Sequence, residues 1–159
     1  MPVSVAVEPA RTPELLELLR LSDEYAFSLY PPESCYLLDV SELEADGVRV
    51  FVARENGIAG GLVALVLQPD GVAEIKRMFV AESARGLGVA SALMRELELR
   101  ARAERVHTVR LETGPAQPEA IALYKKFGYR IVPNFGPYIG DEFSVCMEKR
   151  MEKRMKKRL

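Results

Sequence analysis

A chain of 159 residues is long enough to bury one hydrophobic core and too short to suggest several. Apolar residues make up 48% of it and charged residues 28%, the balance of an ordinary globular domain rather than of a disordered or fibrous chain. With 22 Lys and Arg against 23 Asp and Glu the net charge is −1, which excludes nucleic-acid binding driven by overall charge, and no apolar run approaches the roughly 20 residues of a membrane span.

Val3-Ser4-Val5-Ala6-Val7 reads as a first strand. Thr12-Pro13-Glu14 opens a helix, with Thr12 as its cap and Pro13 at the first helical position, where a missing N–H does no harm. Leu15, Leu16, Leu18, Leu19 and Leu21 supply its apolar face, and Pro31-Pro32 ends it near Tyr30. Pro31 to Val40 reads as a loop and Ser41 to Ala45 as a short helix. Val48 to Ala53 is a strand, Glu55-Asn56-Gly57 its hairpin turn, and Ile58 to Leu67 the return strand, in which Gly60-Gly61 permits a bend or bulge. Pro69-Asp70-Gly71 turns the chain again, and Val72 to Val80 forms the next strand.

After that strand comes Arg85-Gly86-Leu87-Gly88-Val89-Ala90, followed by a long amphipathic helix from Ser91 to Glu104. A glycine-rich turn between strand and helix aims several free backbone N–H groups at one point, and the positive end of the helix dipole adds to them. Glycine lets an anion approach the backbone and admits positive φ. The turn therefore predicts a phosphate-bearing ligand. Thr108 to Glu112 is a further strand, Pro118 to Phe127 a helix capped by Gly128, and Tyr129 to Val132 and Glu142 to Met147 the last two strands. This order is a meander feeding one βαβ crossover. It predicts an α/β (α+β) domain with a mixed central β-sheet and helices on both faces.

Residues 1–149 make this domain, and residues 150–159 form a basic C-terminal tail. From Glu148 onward there are seven Lys and Arg against two Glu, so the rest of the chain carries −6. The tail nearly repeats every four residues from Met147, which places its methionines on one helical stripe of a solvated, charged end. Cys35 and Cys146 lie far apart without metal-ligand spacing, and His107 is the lone histidine, so no metal site is expected. Two free thiols and the lack of a basic start followed by an apolar block point to the cytoplasm.

The glycine turn alone is a weak signal, since it lacks the Gly-Lys-Ser/Thr of a P-loop. A second motif about 30 residues on sharpens it: Gln117-Pro118-Glu119-Ala120-Ile121-Ala122-Leu123-Tyr124-Lys125-Lys126-Phe127-Gly128-Tyr129. Together the two resemble the GNAT superfamily of acyl-CoA-dependent N-acetyltransferases. Arg85, Gly88 and Ala90 fit its Gln/Arg-x-x-Gly-x-Gly/Ala turn, and Ala120, Leu123, Tyr124, Gly128 and Tyr129 fit its Ala-x-x-Leu-Tyr-x-x-x-Gly-Phe/Tyr helix. The likeness spans Val3 to Lys149, the first 45 residues by pattern only.

The resemblance implies acetyl-CoA as cosubstrate, with its pyrophosphate on the N–H groups of Arg85, Gly86, Leu87, Gly88, Val89 and Ala90. Met78, Phe79 and Val80 would then run beside the pantetheine arm as a neighbouring strand does. Gln117 stands where many members carry an asparagine that contacts the same arm. Tyr124 lies where members place a tyrosine near the coenzyme sulfur, and a phenol near pKa 10 can protonate a departing thiolate. Dimerisation is common in this fold, with the C-terminal strands or the tail as a contact.

Acetyl transfer to an amine also needs a base. Glu74 is a candidate because histone-acetylating members use a glutamate at a similar place on this strand. Otherwise it is a surface acid paired with Lys76 or a neighbouring strand. Glu112 ends the strand before Thr113-Gly114-Pro115 and would face the splay between strands; otherwise it caps a turn. Lys76, Arg77 and Arg85 would attract phosphates or form a solvated basic face, and His107 reads as an exposed turn residue. The aromatic, proline-rich segments Tyr30-Pro31-Pro32-Glu33-Ser34 and Phe135-Gly136-Pro137-Tyr138 would wall an acceptor pocket or cover the core, with Glu33 and Asp141 available to a cationic amine. The expected activity is acetyl transfer to a primary amine of a small molecule, amino acid or polyamine by direct attack in a ternary complex. A coenzyme-A sensor without turnover, a protein lysine or N-terminal acetyltransferase, and a nucleotide-binding interaction domain remain as alternatives.

Overall fold

The computed structural model describes residues 2–151. Its elements are β1 (Ser4–Val7), α1 (Pro13–Leu29), α2 (Val40–Leu43), β2 (Val48–Glu55), β3 (Ile58–Leu67), β4 (Val72–Val80), α3 (Val89–Ala103), β5 (Thr108–Thr113), α4 (Pro118–Lys126), β6 (Arg130–Val132) and β7 (Val145–Arg150). The strands form one sheet in the order β1-β2-β3-β4-β5-β7-β6. Among the described residues β4 and β5 are its one parallel pair, because α3 must carry the chain back across the sheet between them.

Alternation along the strands splits the core in two. Phe51, Ala53, Val63, Leu65, Ile75 and Leu111 face α3 and α4, where Leu93, Met94, Leu97 and Tyr124 meet them. Val50, Val52, Leu62 and Ala64 face the other way, against Leu15, Leu18 and Leu19 of α1 and Leu43 of α2. Leu15, Leu93 and Leu97 are wholly enclosed, each worth roughly 2 kcal/mol of burial. Thr12 caps α1 by accepting the Leu15 N–H (3.3 Å), as the Thr-Pro start predicts.

Gly60 is the extra residue of a bulge in β3, since Ala53 pairs with Gly61 and Arg54 with Ala59. The two adjacent glycines also admit the chain that follows β4. A β-carbon on Gly60 would come within 2.7 Å of Ala84 Cβ, and one on Gly61 within 2.9 Å of Val89 Cγ1.

Several boundaries differ from the sequence reading. The short helix starts at Val40, because Asp39 and Glu42 form a reciprocal capping box. α3 starts at Val89, with Gly88 as its left-handed N-cap. The last strand begins at Val145 instead of Glu142: the Asp141 carboxylate accepts the Phe143 N–H (2.8 Å) and the Asp141 carbonyl accepts that of Ser144 (3.1 Å), which holds this stretch in a turn. The strand then runs on through Arg150, and Met151 is buried with its N–H on the His107 carbonyl (2.8 Å). Met147 to Arg150 therefore lie in a strand and Met151 is buried, not on a helical stripe of a solvated end; residues 152–159 of the repeat lie outside the described residues. His107 is exposed, its ring bridging the Asp70 carbonyl and Thr108 Oγ1. Among the described residues no helix is long and apolar enough to cross a membrane, and no group of three His, Cys, Asp or Glu is placed to hold a metal ion.

Candidate active site

The parallel ladder between β4 and β5 stops after Ile75 and Leu111. Leu62 pairs with Phe79 and Ala64 with Lys76, so Arg77 and Met78 both stand opposite Val63. This bulge turns β4 away from β5. Arg77 takes φ +61°, which a side chain adopts only when its surroundings hold it there. They do so through α1: the buried guanidinium lies 2.7 Å from the Asp23 carboxylate and donates to the Leu19 carbonyl (3.1 Å).

The parted strands open a cleft of about 590 Å³ that runs from one face of the sheet to the other. Met78, Phe79, Val80, Arg85, Ala90, Gln117, Tyr124 and Glu112, eight of the residues singled out from sequence, line it. At its rim, Gly86 and Gly88 take φ +82° and +76°, which glycine alone adopts at little cost. Among the described residues no N–H from Gly86 to Ser91 donates to a carbonyl; the first that does is Ala92, to Gly88 (3.0 Å). The turn thus keeps a row of free donors at the N-terminus of a 15-residue helix, an arrangement that suits a phosphate. Leu87 projects outward, whereas the Val89 side chain belongs to the core. Arg85 Nε donates back to the Val80 carbonyl (3.4 Å), and its guanidinium lies 5.9 Å from the Tyr25 ring.

The two carboxylates named from sequence part company. Glu112 lines the cleft, and burial pushes its carboxyl up to about 7, against the opposing pull of the Ser144 hydroxyl that donates to it (2.8 Å) and the charge of Lys76. Glu74 is buried behind the cleft wall. It accepts from the Tyr138 hydroxyl (2.5 Å) and from Gln68 Nε2 (3.1 Å), and Lys76 Nζ lies 3.9 Å away. Lys76 itself lines the cleft and donates to the Tyr138 hydroxyl (2.8 Å); burial pulls its ammonium below the ordinary lysine range. Lys76 and Arg77 therefore do not form a solvated basic face.

Tyr124 reaches the cleft from α4, and its hydroxyl has no hydrogen-bond partner among the described residues. Burial, with the nearby Glu112, raises its phenol above the ordinary value, so it carries its proton at neutral pH. On the α1 side Tyr30 closes the cleft, its hydroxyl donating to Gln117 Oε1 (3.0 Å) and accepting the Ala116 N–H (3.2 Å). Gln117 thus engages the protein through its side-chain oxygen.

Asp141 does not face the cleft. Its carboxylate accepts from the Tyr36 hydroxyl (2.7 Å) and the Ser34 hydroxyl (3.1 Å), which clamps the loop after α1 onto the one before β7. Tyr138 is core, packed edge-on against Tyr36 and Phe135. Cys35 lines the cleft, but burial raises its thiol, which disfavours the thiolate an acyl-enzyme would need. Sequence reasoning missed Gly114, which makes room for Tyr30, and Ser144; a glycine or serine in a turn is too common to signal either role.

The Acetyltransferase (GNAT) family model matches residues 13–129. An IAA acetyltransferase of Azospirillum brasilense is 38% identical over 148 residues, 92% of this chain and 97% of that one. A candidate acyl-CoA N-acyltransferase of Klebsiella pneumoniae superposes with a TM-score of 0.80 at 32% identity, over 94% of this chain and 98% of that one. The Bacillus subtilis acetyltransferase solved in complex with CoA superposes with a TM-score of 0.72 over 95% of this chain and 100% of that one; at 19% identity this is a likeness of fold.

Proposed function

This chain belongs to the GNAT family of acetyltransferases, and from that premise we propose that it moves the acetyl group of acetyl-CoA to a primary amine of a small molecule, by direct attack in a ternary complex in the cytoplasm. The observation that carries this reading is the pairing of Glu112 and Tyr124 at the gap between β4 and β5, a group able to take a proton and one able to give it.

The free N–H groups of Gly86 to Ser91 suit the coenzyme pyrophosphate, and the edge of β4 from Met78 to Val80 suits the pantetheine amides. Glu112, its carboxyl pushed up to about 7 by burial, takes the proton from the nitrogen of the neutral amine as it attacks, the ammonium having first lost one proton to solvent. The nitrogen adds to the thioester carbon, the C–S bond breaks, and Tyr124 gives its proton to the leaving sulfur. Solvent then removes the proton on Glu112 and restores the one on Tyr124. Glu74 serves here as a support for Lys76 and Tyr138, its oxygens already engaged.

The test begins with melting curves. Acetyl-CoA at a hundredfold excess over its dissociation constant adds about 2.7 kcal/mol, a rise of roughly 5 to 11 °C for a chain of this length. ATP and NAD should give little. An equal rise with ATP would remove the acetyl-CoA reading. Tyr124→Phe should retain the acetyl-CoA rise yet slow thiol release about a hundredfold with any accepted amine; unchanged release would remove the acid role of Tyr124.

A further inference from the structure

Lys76 and Glu112 are the first residues past the last ladder pair, Ile75 with Leu111, on adjacent parallel strands. Period-two alternation puts both on the face opposite the α3 core, side by side where the strands part. One cationic and one acidic side chain thus enter the same half of the cleft.

The cation is short of partners. Lys76 Nζ has three protons and one hydrogen bond, to the Tyr138 hydroxyl. Glu74 Oε2 lies 3.9 Å off, beyond hydrogen-bond length, and both Glu74 oxygens already accept from Tyr138 and Gln68. The Lys76 side chain is 12% exposed, so water reaches it only through the cleft. A buried ammonium with unfilled donors favours a ligand that brings an anion. Around this pair the wall is aromatic and apolar: Tyr30, Tyr36 and Phe143, with Ala26 and Leu37.

We propose that the acceptor is a free amino acid with an aromatic side chain, its carboxylate held by Lys76, its amine presented to Glu112 and its ring against Tyr30, Tyr36 and Phe143; this rests on the acetyl-transfer reading of the same cleft. A polyamine would set a second ammonium against Lys76. An amine without a carboxylate, or a peptide N-terminus whose carboxyl is an amide, would leave the free Lys76 donors unfilled. The Asp141 clamp on Ser34 and Tyr36 also closes the loops around this half of the cleft, which suits a ligand that ends there.

The experiment compares thiol release from acetyl-CoA with phenylalanine, phenylalaninamide and phenethylamine as acceptors, each alongside a melting curve with acetyl-CoA. Phenylalanine should exceed both neutral-ended analogues in kcat/KM by roughly tenfold or more. Lys76→Met should bring that ratio close to one, and Lys76→Arg, which keeps the charge, should preserve the order. The acetyl-CoA melting shift shows whether each variant is folded. An amide or amine used as well as phenylalanine by the unmodified protein would overturn the proposal, as would a ratio unmoved by Lys76→Met. If none of the three is acetylated while acetyl-CoA still raises the melting temperature, the acceptor assignment falls and the cosubstrate reading stands. If acetyl-CoA gives no rise, the acetyl-transfer reading itself falls.

Discussion

The hydroxyl of Tyr30 fills the space that a β-carbon on Gly114 would need. Tyr30 is the C-cap of α1 and Gly114 directly follows β5, so this contact, with the bonds to Ala116 and Gln117, ties the end of the first helix to the turn that starts α4. It shuts one end of the cleft by packing and hydrogen bonding together.

Gly114→Ala should therefore expel the Tyr30 ring. The backbone of Gly114 is not in the left-handed region, so the methyl group's collision with the ring is the main cost, about 1 to 3 kcal/mol of overpacking. Tyr30→Phe keeps the ring and loses two hydrogen bonds, each worth about 1 kcal/mol. The double variant Tyr30→Ala with Gly114→Ala should lose less than the sum of the single losses, because the collision disappears with the ring. Urea denaturation of the parent, Tyr30→Phe, Tyr30→Ala, Gly114→Ala and the double variant measures this. A Gly114→Ala protein as stable as the parent would show that Tyr30 is not held there.

Glu112 makes two opposite statements about pH. As a base it must be ionised, so kcat/KM should fall as pH drops through about 7, and Glu112→Gln should be slow and lose that dependence. For stability the sign reverses. Its folded pKa lies above the ordinary 4.5, so the folded state prefers the protonated group; the stabilisation is full below 4.5 and is lost as pH rises through about 7. Glu112→Gln should accordingly be more stable than the parent at pH 8, by about 3 kcal/mol or roughly 6 to 12 °C in melting temperature, and no more stable at pH 4. An equal effect at both pH values would count against a strained carboxylate.

These two cases show what the chain reveals unaided. The glycine turn, the crossover helix and the Tyr124 motif are local patterns, and local patterns survive in sequence: the turn does lead into α3, and Tyr124 does reach the cleft. Tyr30 and Gly114 meet across 84 positions, and nothing in either segment encodes the other. The bulge at Arg77 has no glycine to announce it and depends on Asp23 and Leu19 of α1. Glu74 and Glu112 look alike in sequence; in the fold Tyr138 and Gln68 engage the first, and the second faces the cleft. The last strand starts three residues later than the sequence pattern predicts because Asp141, available to an amine by sequence, folds its own turn.

Glu98 is the other buried acid whose partners decide its worth. It lies four residues after Met94 on the core face of α3, among Leu97 and Ala101. It accepts from the Tyr129 hydroxyl (2.9 Å) and from Lys149 Nζ (2.8 Å), so one carboxylate joins α3 to the end of the α4 motif and to β7. Burial and the Glu98 charge both raise the Tyr129 phenol, which stays protonated as the donor. Glu98→Ala would leave an ammonium and a hydroxyl without their acceptor and should cost about 3 kcal/mol, or roughly 6 to 12 °C in melting temperature. Tyr129→Phe removes one bond and should cost about 1 kcal/mol. Glu98 does not line the cleft, so the acetyl-CoA melting shift should survive in both variants. A Glu98→Ala protein that melts within about 2 °C of the parent would mean that the solvent, and not Glu98, satisfies Lys149 and Tyr129.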